Sequence, residues 1–241
     1  MLKAAYSLYD KSRRPLRDQS FFLLRDLNIA VARIPDVAEN LLPTLLERLA
    51  LLTEGYGKPL HLRHPSPLIS LCQFEIASAR DLVRSSSRCL TITFTRDPLA
   101  KITDCYAKRI AHTNTASSRL AHYGIVPGQT FKKFVNRIVS IPDYRADNFF
   151  RSQSDIVSYK GKLIPSFYFR TENQRDEWER LRKLLILHHG LEIGECPRLQ
   201  NQLQTDHNFL NGPDHSTLTR KLQTRYHKDI KAFYGDMLLN T

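Results

Sequence analysis

The chain has 241 residues, enough to bury a sizeable core, and one domain spanning residues 1–241 is its simplest organisation. Lys and Arg number 36 against 24 Asp and Glu, a net charge of +12, so the expected partner is anionic: a nucleotide, a charged glycan, nucleic acid or a membrane surface. The basic residues are spread without a long block, which argues against a nucleic-acid-binding tail, and no apolar run approaches the length of a membrane span.

The first twenty residues, MLKAAYSLYDKSRRPLRDQS, hold no apolar core of signal-peptide length, so a cytoplasmic location is expected. The four cysteines, Cys72, Cys89, Cys105 and Cys196, lie far apart without CxxC spacing. That spacing predicts free thiols in a reducing compartment and no metal site.

The first strand candidate is NIAVARI, Asn28 to Ile34, apolar through its centre as a strand buried on both faces would be. A helical stretch follows from Val37 to Leu52. Pro43 inside it predicts a late start or a kink, and Asp36 before it reads as an N-cap. GYGKP, Gly55 to Pro59, is a break. HLRHPSP follows, and then a helix is expected from Leu68 to Val83.

From Cys89 the pattern alternates, Leu90, Ile92 and Phe94 on one side and Thr91, Thr93 and Thr95 on the other, which predicts a strand. After Arg96-Asp97-Pro98 the period becomes helical, with Leu99, Ile102 and Tyr106 on one face. Pro98 suits a first helical turn, where a missing N–H costs nothing. Arg96 therefore stands where a strand hands over to a helix N-terminus, the usual place in an α/β protein to hold an anion.

Residues 112–128 read as a loop. Thr130 caps a helix whose apolar face is Phe131, Phe134, Val135 and Ile138. IPDYRADNFFRSQ is loop-like, and Leu163 to Phe169 is a third strand candidate. TENQRDEWERLRKLLILHHG carries early acids, an apolar face of Trp178, Leu181, Leu184 and Leu185, and a stop at Gly190. Leu191 to Pro213 is polar, and a last helix is expected from Ser216 to Leu239. This alternation of strands and helices predicts an α/β fold with a parallel sheet.

Arg96-Asp97-Pro98, with Lys101 three positions after the Pro and Tyr106 five further on, resembles the second nucleotide-binding motif of the sulfotransferases, above all the Golgi carbohydrate branch of uronyl 2-O type. The resemblance implies a three-layer P-loop-kinase-like fold, a central parallel sheet flanked by helices. It also implies 3′-phosphoadenosine 5′-phosphosulfate as donor and a carbohydrate hydroxyl as acceptor. Arg96 would then meet the 3′-phosphate. Asp104 falls where the family has a Ser, a departure from its pattern.

Arg33-Ile34-Pro35-Asp36-Val37-Ala38-Glu39-Asn40 resembles the family's loop for the 5′-phosphosulfate. Arg33, Pro35, Val37 and Ala38 fit it. Asp36 replaces the Lys, and Glu39 and Asn40 occupy the hydroxyl positions. A carboxylate at the place of the Lys repels the anion it should hold. At an effective dielectric near 20 a charge pair ~4 Å apart is worth roughly 4 kcal/mol. Arg33, Arg63, Lys160 and Lys162 are the nearest cations by sequence context that could compensate.

His61 and His64 in HLRHPSP resemble the family's His-containing loop, in which a His takes the acceptor hydroxyl's proton; an imidazole pKa suits that role. Either His fits. Asp147-Asn148-Phe149-Phe150-Arg151-Ser152-Gln153 resembles the acceptor-side segment, with Phe149 or Phe150 stacking and Arg151 and Gln153 hydrogen-bonding. The in-line displacement implied by the resemblance needs no metal, because positioning and positive charge carry it. The alternative is a sulfotransferase fold without turnover that binds an anionic glycan or a protein partner, as the carboxylates Asp36, Glu39 and Asp104 suggest.

Overall fold

The computed structural model describes residues 18–53, 74–85, 89–111, 113, 118–197 and 214–235. His61 and His64 lie outside the described residues, as do Arg63 and the first part of the helix expected from Leu68. The chain falls into two compact units. Among the described residues, one is built from 18–53, 74–85, 89–95 and 157–197, and the other from 96–111, 113, 118–156 and 214–235.

The first unit is organised on a five-stranded mixed sheet flanked by helices, in the order β3-β1-β2-β4-β7. β2 (Ile29–Ala32), β4 (Leu90–Thr95) and β7 (Phe167–Arg170) run parallel, with Val31 beside Ile92 and Ile92 beside Phe167. The expectation of a wholly parallel sheet is corrected at one edge. β1 (Phe21–Leu24) is antiparallel both to β2 and to β3 (Glu75–Ala77). A short turn closed by Asn28, in the left-handed region at φ 52°, joins β1 to β2, and so short a connection can only reverse the chain.

β3 also corrects the helix expected from Leu68 to Val83. Among the described residues that stretch is a strand over Glu75–Ala77 and then a helix, α2, over Ala79–Arg84. A capping box starts α2 at Ser78: the Ser78 hydroxyl accepts from the Asp81 N–H, and the Asp81 carboxylate accepts from the Ser78 N–H at 2.9 Å. The long helix expected after β2 starts late, as α1 (Leu41–Leu51), with Pro43 inside its first turn, where no N–H is needed.

β4 is buried on both faces. Ile92 and Phe94 face one side and Thr91, Thr93 and Thr95 the other, and all five are buried. The threonine hydroxyls survive there because each finds a carbonyl, Thr91 that of Ile164 at 2.8 Å and Thr95 that of Phe169 at 3.4 Å. A two-stranded ribbon, β5 (Ser158–Tyr159) and β6 (Lys162–Leu163), precedes β7. The helix after β7 runs over Gln174–His189 and ends at Gly190, whose φ of 64° closes a left-handed cap. It carries the single tryptophan, Trp178, fully buried, its indole N–H donating to the Gly194 carbonyl at 2.9 Å.

The second unit is helical. In chain order its helices are α3 (Pro98–Tyr106), continued as a π-turn over Ala107–Ala111, α4 (Ser118–Ala121), α5 (Phe131–Val139) and α6 (Gln153–Ile156). The helix after β7 is α7, and the second unit continues with α8 (His215–Arg225) and α9 (His227–Tyr234). α4 lies in the stretch expected to be loop, and the single last helix is two, broken at Tyr226. The Tyr226 side chain is buried, with its hydroxyl donating to the Phe150 carbonyl at 2.7 Å. Ile102, Phe134, Ile138, Phe150, Leu218 and Leu222 form the centre of this unit's apolar core.

In the first unit the Phe94, Phe169 and Trp178 rings pack in series, with centroids 4.7 and 6.4 Å apart. Phe169 is fully buried, so Phe169→Ala should cost about 3–5 kcal/mol. Urea denaturation followed by Trp178 fluorescence reads the loss directly as a lower midpoint at unchanged slope.

Candidate functional site

β2 and β4 are neighbouring parallel strands, and one phosphate-loop candidate follows each of them in the chain. After β2 the chain crosses Arg33–Asn40 before α1 begins. Arg33 is exposed, Pro35 partly so, and Asp36, Val37 and Ala38 are buried. Glu39 and Asn40 are exposed. The N-cap of α1 is Asn40, not Asp36, which stands five residues before the helix. Asp36 and Ala38 both adopt the left-handed region, at φ 61° and 57°. Asp tolerates this through local hydrogen bonding, whereas Ala bears a Cβ clash of about 1–2 kcal/mol. Two such residues in three make this the most strained described stretch of backbone outside glycine.

After β4 the geometry is set by three side chains around Arg96. The Gln153 carboxamide faces the Arg96 peptide edge on: its Oε1 accepts from the Arg96 N–H at 3.0 Å, and its Nε2 donates to the Arg96 carbonyl at 2.6 Å. The Arg96 guanidinium donates to the Asp104 carboxylate at 2.5 Å, with the two side chains 20% and 4% exposed. The other Asp104 oxygen is buried without a hydrogen-bond partner. Asp97 caps α3 by accepting from the Ala100 N–H at 2.9 Å. The helix start that could hold an anion thus already faces one carboxylate, and the cation beside it faces another.

Lys101 points away from solvent. It is 2% exposed, and its ammonium donates to the carbonyls of Phe149 at 2.9 Å and Arg151 at 3.4 Å. The segment Asp147–Gln153 is anchored at several further points. Asp229, on α9, is 1% exposed and accepts from the Gln153 N–H at 2.8 Å, the Ser154 N–H at 2.8 Å and the Ser154 hydroxyl at 2.5 Å. Burial pushes the Asp229 carboxyl above its ordinary value, against these hydrogen bonds and the nearby Lys101. Asp143 accepts from the Ser152 N–H at 3.0 Å and from Arg225 at 2.6 Å.

These anchors decide the fate of the acceptor-side candidates. Gln153 is fully buried with both ends of its amide held by Arg96. Arg151 is buried and bonded to Asp155 at 2.6 Å and to Asn148 at 3.3 Å. Phe150 is core. Phe149 is half-buried with the Arg109 guanidinium 3.6 Å from its ring centroid, a cation–π contact. Sequence reasoning missed Asp143, Arg225 and Asp229, which act through folding-dependent contacts across more than 70 residues. The described cysteines are free thiols, and burial pushes Cys89 up to about 11, far from a reactive thiolate. Among the described residues no helix is long and apolar enough to cross a membrane.

Charge is unevenly shared between the units. Among the described residues, the helical unit holds 15 Lys and Arg against 7 Asp and Glu, a net +8, while the sheet unit holds 12 against 13, a net −1. Compared with protein-family models, curated proteins and solved structures, the chain has no significant match.

Two outcomes follow from this geometry. Ala38→Gly should stabilise the protein by up to about 1 kcal/mol in thermal or chemical denaturation, the reverse of the usual glycine penalty, because it removes the left-handed clash. At Asp143, burial pushes the carboxyl up but Arg225 and Ser152 more than offset this and hold it below its ordinary 3.8. A depressed carboxyl contributes stability above 3.8 that is lost as pH falls through its lower folded value. Asp143→Asn should therefore cost about 1–3 kcal/mol near neutrality. Its melting temperature should converge on that of the wild type in acid; a gap that stays constant down to pH 2 would contradict this assignment.

Proposed function

We propose that the chain is a sulfotransferase-type protein with a P-loop-kinase-like fold. It transfers a sulfuryl group from 3′-phosphoadenosine 5′-phosphosulfate to a carbohydrate hydroxyl. The observation that carries the reading is Arg96, held at the end of a doubly buried parallel strand, at the start of α3, with a partly exposed guanidinium. The net +8 of the unit that contains it supports an anionic ligand.

In this reading Arg96 meets the 3′-phosphate, and Arg33 with the backbone after Pro35 meets the 5′ end. The acceptor oxygen attacks sulfur in line, and the bond from sulfur to the bridging phosphate oxygen breaks. 3′-Phosphoadenosine 5′-phosphate leaves with that electron pair, and His61 or His64 takes the acceptor's proton. On the acceptor side Phe149 offers a ring, while Arg151 and Gln153 are engaged within the protein and act by shaping the segment.

A second reading is favoured by the Arg96–Asp104 pair: a sulfotransferase fold without turnover that binds an anionic glycan or a protein partner. In it Asp104 occupies Arg96 permanently. Calorimetry with 3′-phosphoadenosine 5′-phosphate separates the two. The transferase reading expects binding below millimolar, weakened at least tenfold by Arg96→Ala, the loss of about one charge-assisted contact. It also expects tighter binding in Asp104→Ser. Absence of binding at millimolar nucleotide would sink it, and labelled-sulfate turnover that disappears in Arg96→Ala would sink the second.

A further inference from the structure

We propose that Gln153 and Asp229 are positioning residues for Arg96, linked in a relay that carries order from α9 to the residue that precedes the start of α3. The inference rests on the reading of Arg96 as the anion-contacting residue, and it changes the role of Gln153 from a ligand contact to a backbone clamp.

Thr95 is the last residue of β4 with a ladder partner, Arg170. The peptide groups of Arg96 lie one step beyond the ladder, and Pro98 two residues on has no N–H to offer. The Gln153 carboxamide has the same donor–acceptor pattern as a peptide edge and supplies the missing rung, one bond to the N–H and one to the carbonyl of a single residue. This fixes both the peptide plane and the Cα–Cβ direction of Arg96, and hence where its side chain can reach.

Gln153 is itself held. Its N–H and that of Ser154 are the first donors of α6, and the Asp229 carboxylate takes both, together with the Ser154 hydroxyl. Gln153 and Asp229 are 0% and 1% exposed, so neither has water as an alternative partner. A buried carboxylate spent on two N–H groups is costly to maintain, and here it orders the residue that orders Arg96. Asp104 fixes the other end of the same residue by pairing with its guanidinium. Backbone and side chain of Arg96 are therefore set by separate groups, and the first can be removed without touching the second.

The test uses Gln153→Met, which keeps the length and loses both hydrogen bonds, and Asp229→Asn. Thr130→Ala serves as a control: it removes the cap of α5 in the same unit, where the Thr130 hydroxyl accepts from the Lys133 N–H, away from the Gln153 segment. Two measurements are made at a temperature well below the melting point of each variant. Amide hydrogen exchange reads the clamp with no ligand present: the Arg96 N–H should exchange at least tenfold faster in Gln153→Met and Asp229→Asn, with Thr93 and Thr95 unchanged. Nucleotide affinity reads the consequence: 3′-phosphoadenosine 5′-phosphate should bind about tenfold more weakly in both, and unchanged in Thr130→Ala. If Arg96 exchange in Gln153→Met matches the wild type, or if all three variants accelerate exchange throughout β4 and α3 alike, the relay is overturned. Accelerated Arg96 exchange in a protein that binds no nucleotide leaves the relay standing and removes the transferase reading.

Discussion

A buried peptide group must have a partner, and at the end of β4 the sheet stops providing one. β4 is covered on both faces and flanked by parallel strands, so its backbone is satisfied up to Thr95. Beyond that the chain turns at once into α3, through Asp97 and Pro98. Much of the helical unit's polar architecture answers this one constraint. The Gln153 amide meets the Arg96 peptide, the Asp97 carboxylate meets the Ala100 N–H in the first turn of α3, and the Asp229 carboxylate holds the segment that carries Gln153.

The segment Asp147–Gln153 shows the same logic from the other side. It has no regular structure before α6, yet Phe150, Arg151, Ser152 and Gln153 are buried. An irregular buried segment exposes its carbonyls and N–H groups to an apolar surround, and side chains from distant parts of the chain satisfy them. Lys101 takes two carbonyls, Tyr226 a third, and Asp143 and Asp229 take N–H groups. Buried charges are tolerated because each is spent on several hydrogen bonds at once. Removing one partner leaves the other desolvated and unpaired, which makes these contacts costly to break.

What was legible in the sequence was periodic. The β4 alternation, the Thr130 cap with its Phe131-Phe134-Val135-Ile138 face, and the Gly190 stop of α7 all rest on local physics and stand in the structure. β1 was missed because Phe21–Leu24 is a short apolar run without alternation, and β3 because three residues carry too little period to separate from the helix after them. The break at Tyr226 was hidden because Leu218, Leu222, Tyr226, Ile230 and Phe233 keep helical spacing across it. At the candidate site Arg96 was legible through its place between two periods. The partners of Arg96 were not: Gln153 lies 57 residues away, and its own anchor Asp229 a further 76. A buried Gln or Asp has the same letter as an exposed one. The share of charge between the units, +8 against −1, was equally invisible, because the helical unit is assembled from separated stretches of chain.

The Arg96–Asp104 pair decides how an anion could be recognised here. A phosphate drawn to Arg96 also comes near a carboxylate that is 4% exposed and bonded to the same guanidinium at 2.5 Å. At an effective dielectric near 20, attraction to one and repulsion from the other at ~4 Å are each worth roughly 4 kcal/mol, so charge alone contributes little net. Selectivity must then come from direction. The nitrogens of a planar guanidinium point along fixed lines, and Asp104 takes one of them. The remaining N–H groups favour an acceptor placed on the far side of the fork from Asp104, where attraction is kept and repulsion falls with distance. If Arg96 contacts an anion as proposed, the geometry of its fork rather than net charge would select the ligand. Such selection would be sensitive to small rotations of the Arg96 peptide, so under that proposal the clamp on the peptide would serve recognition as well as structure.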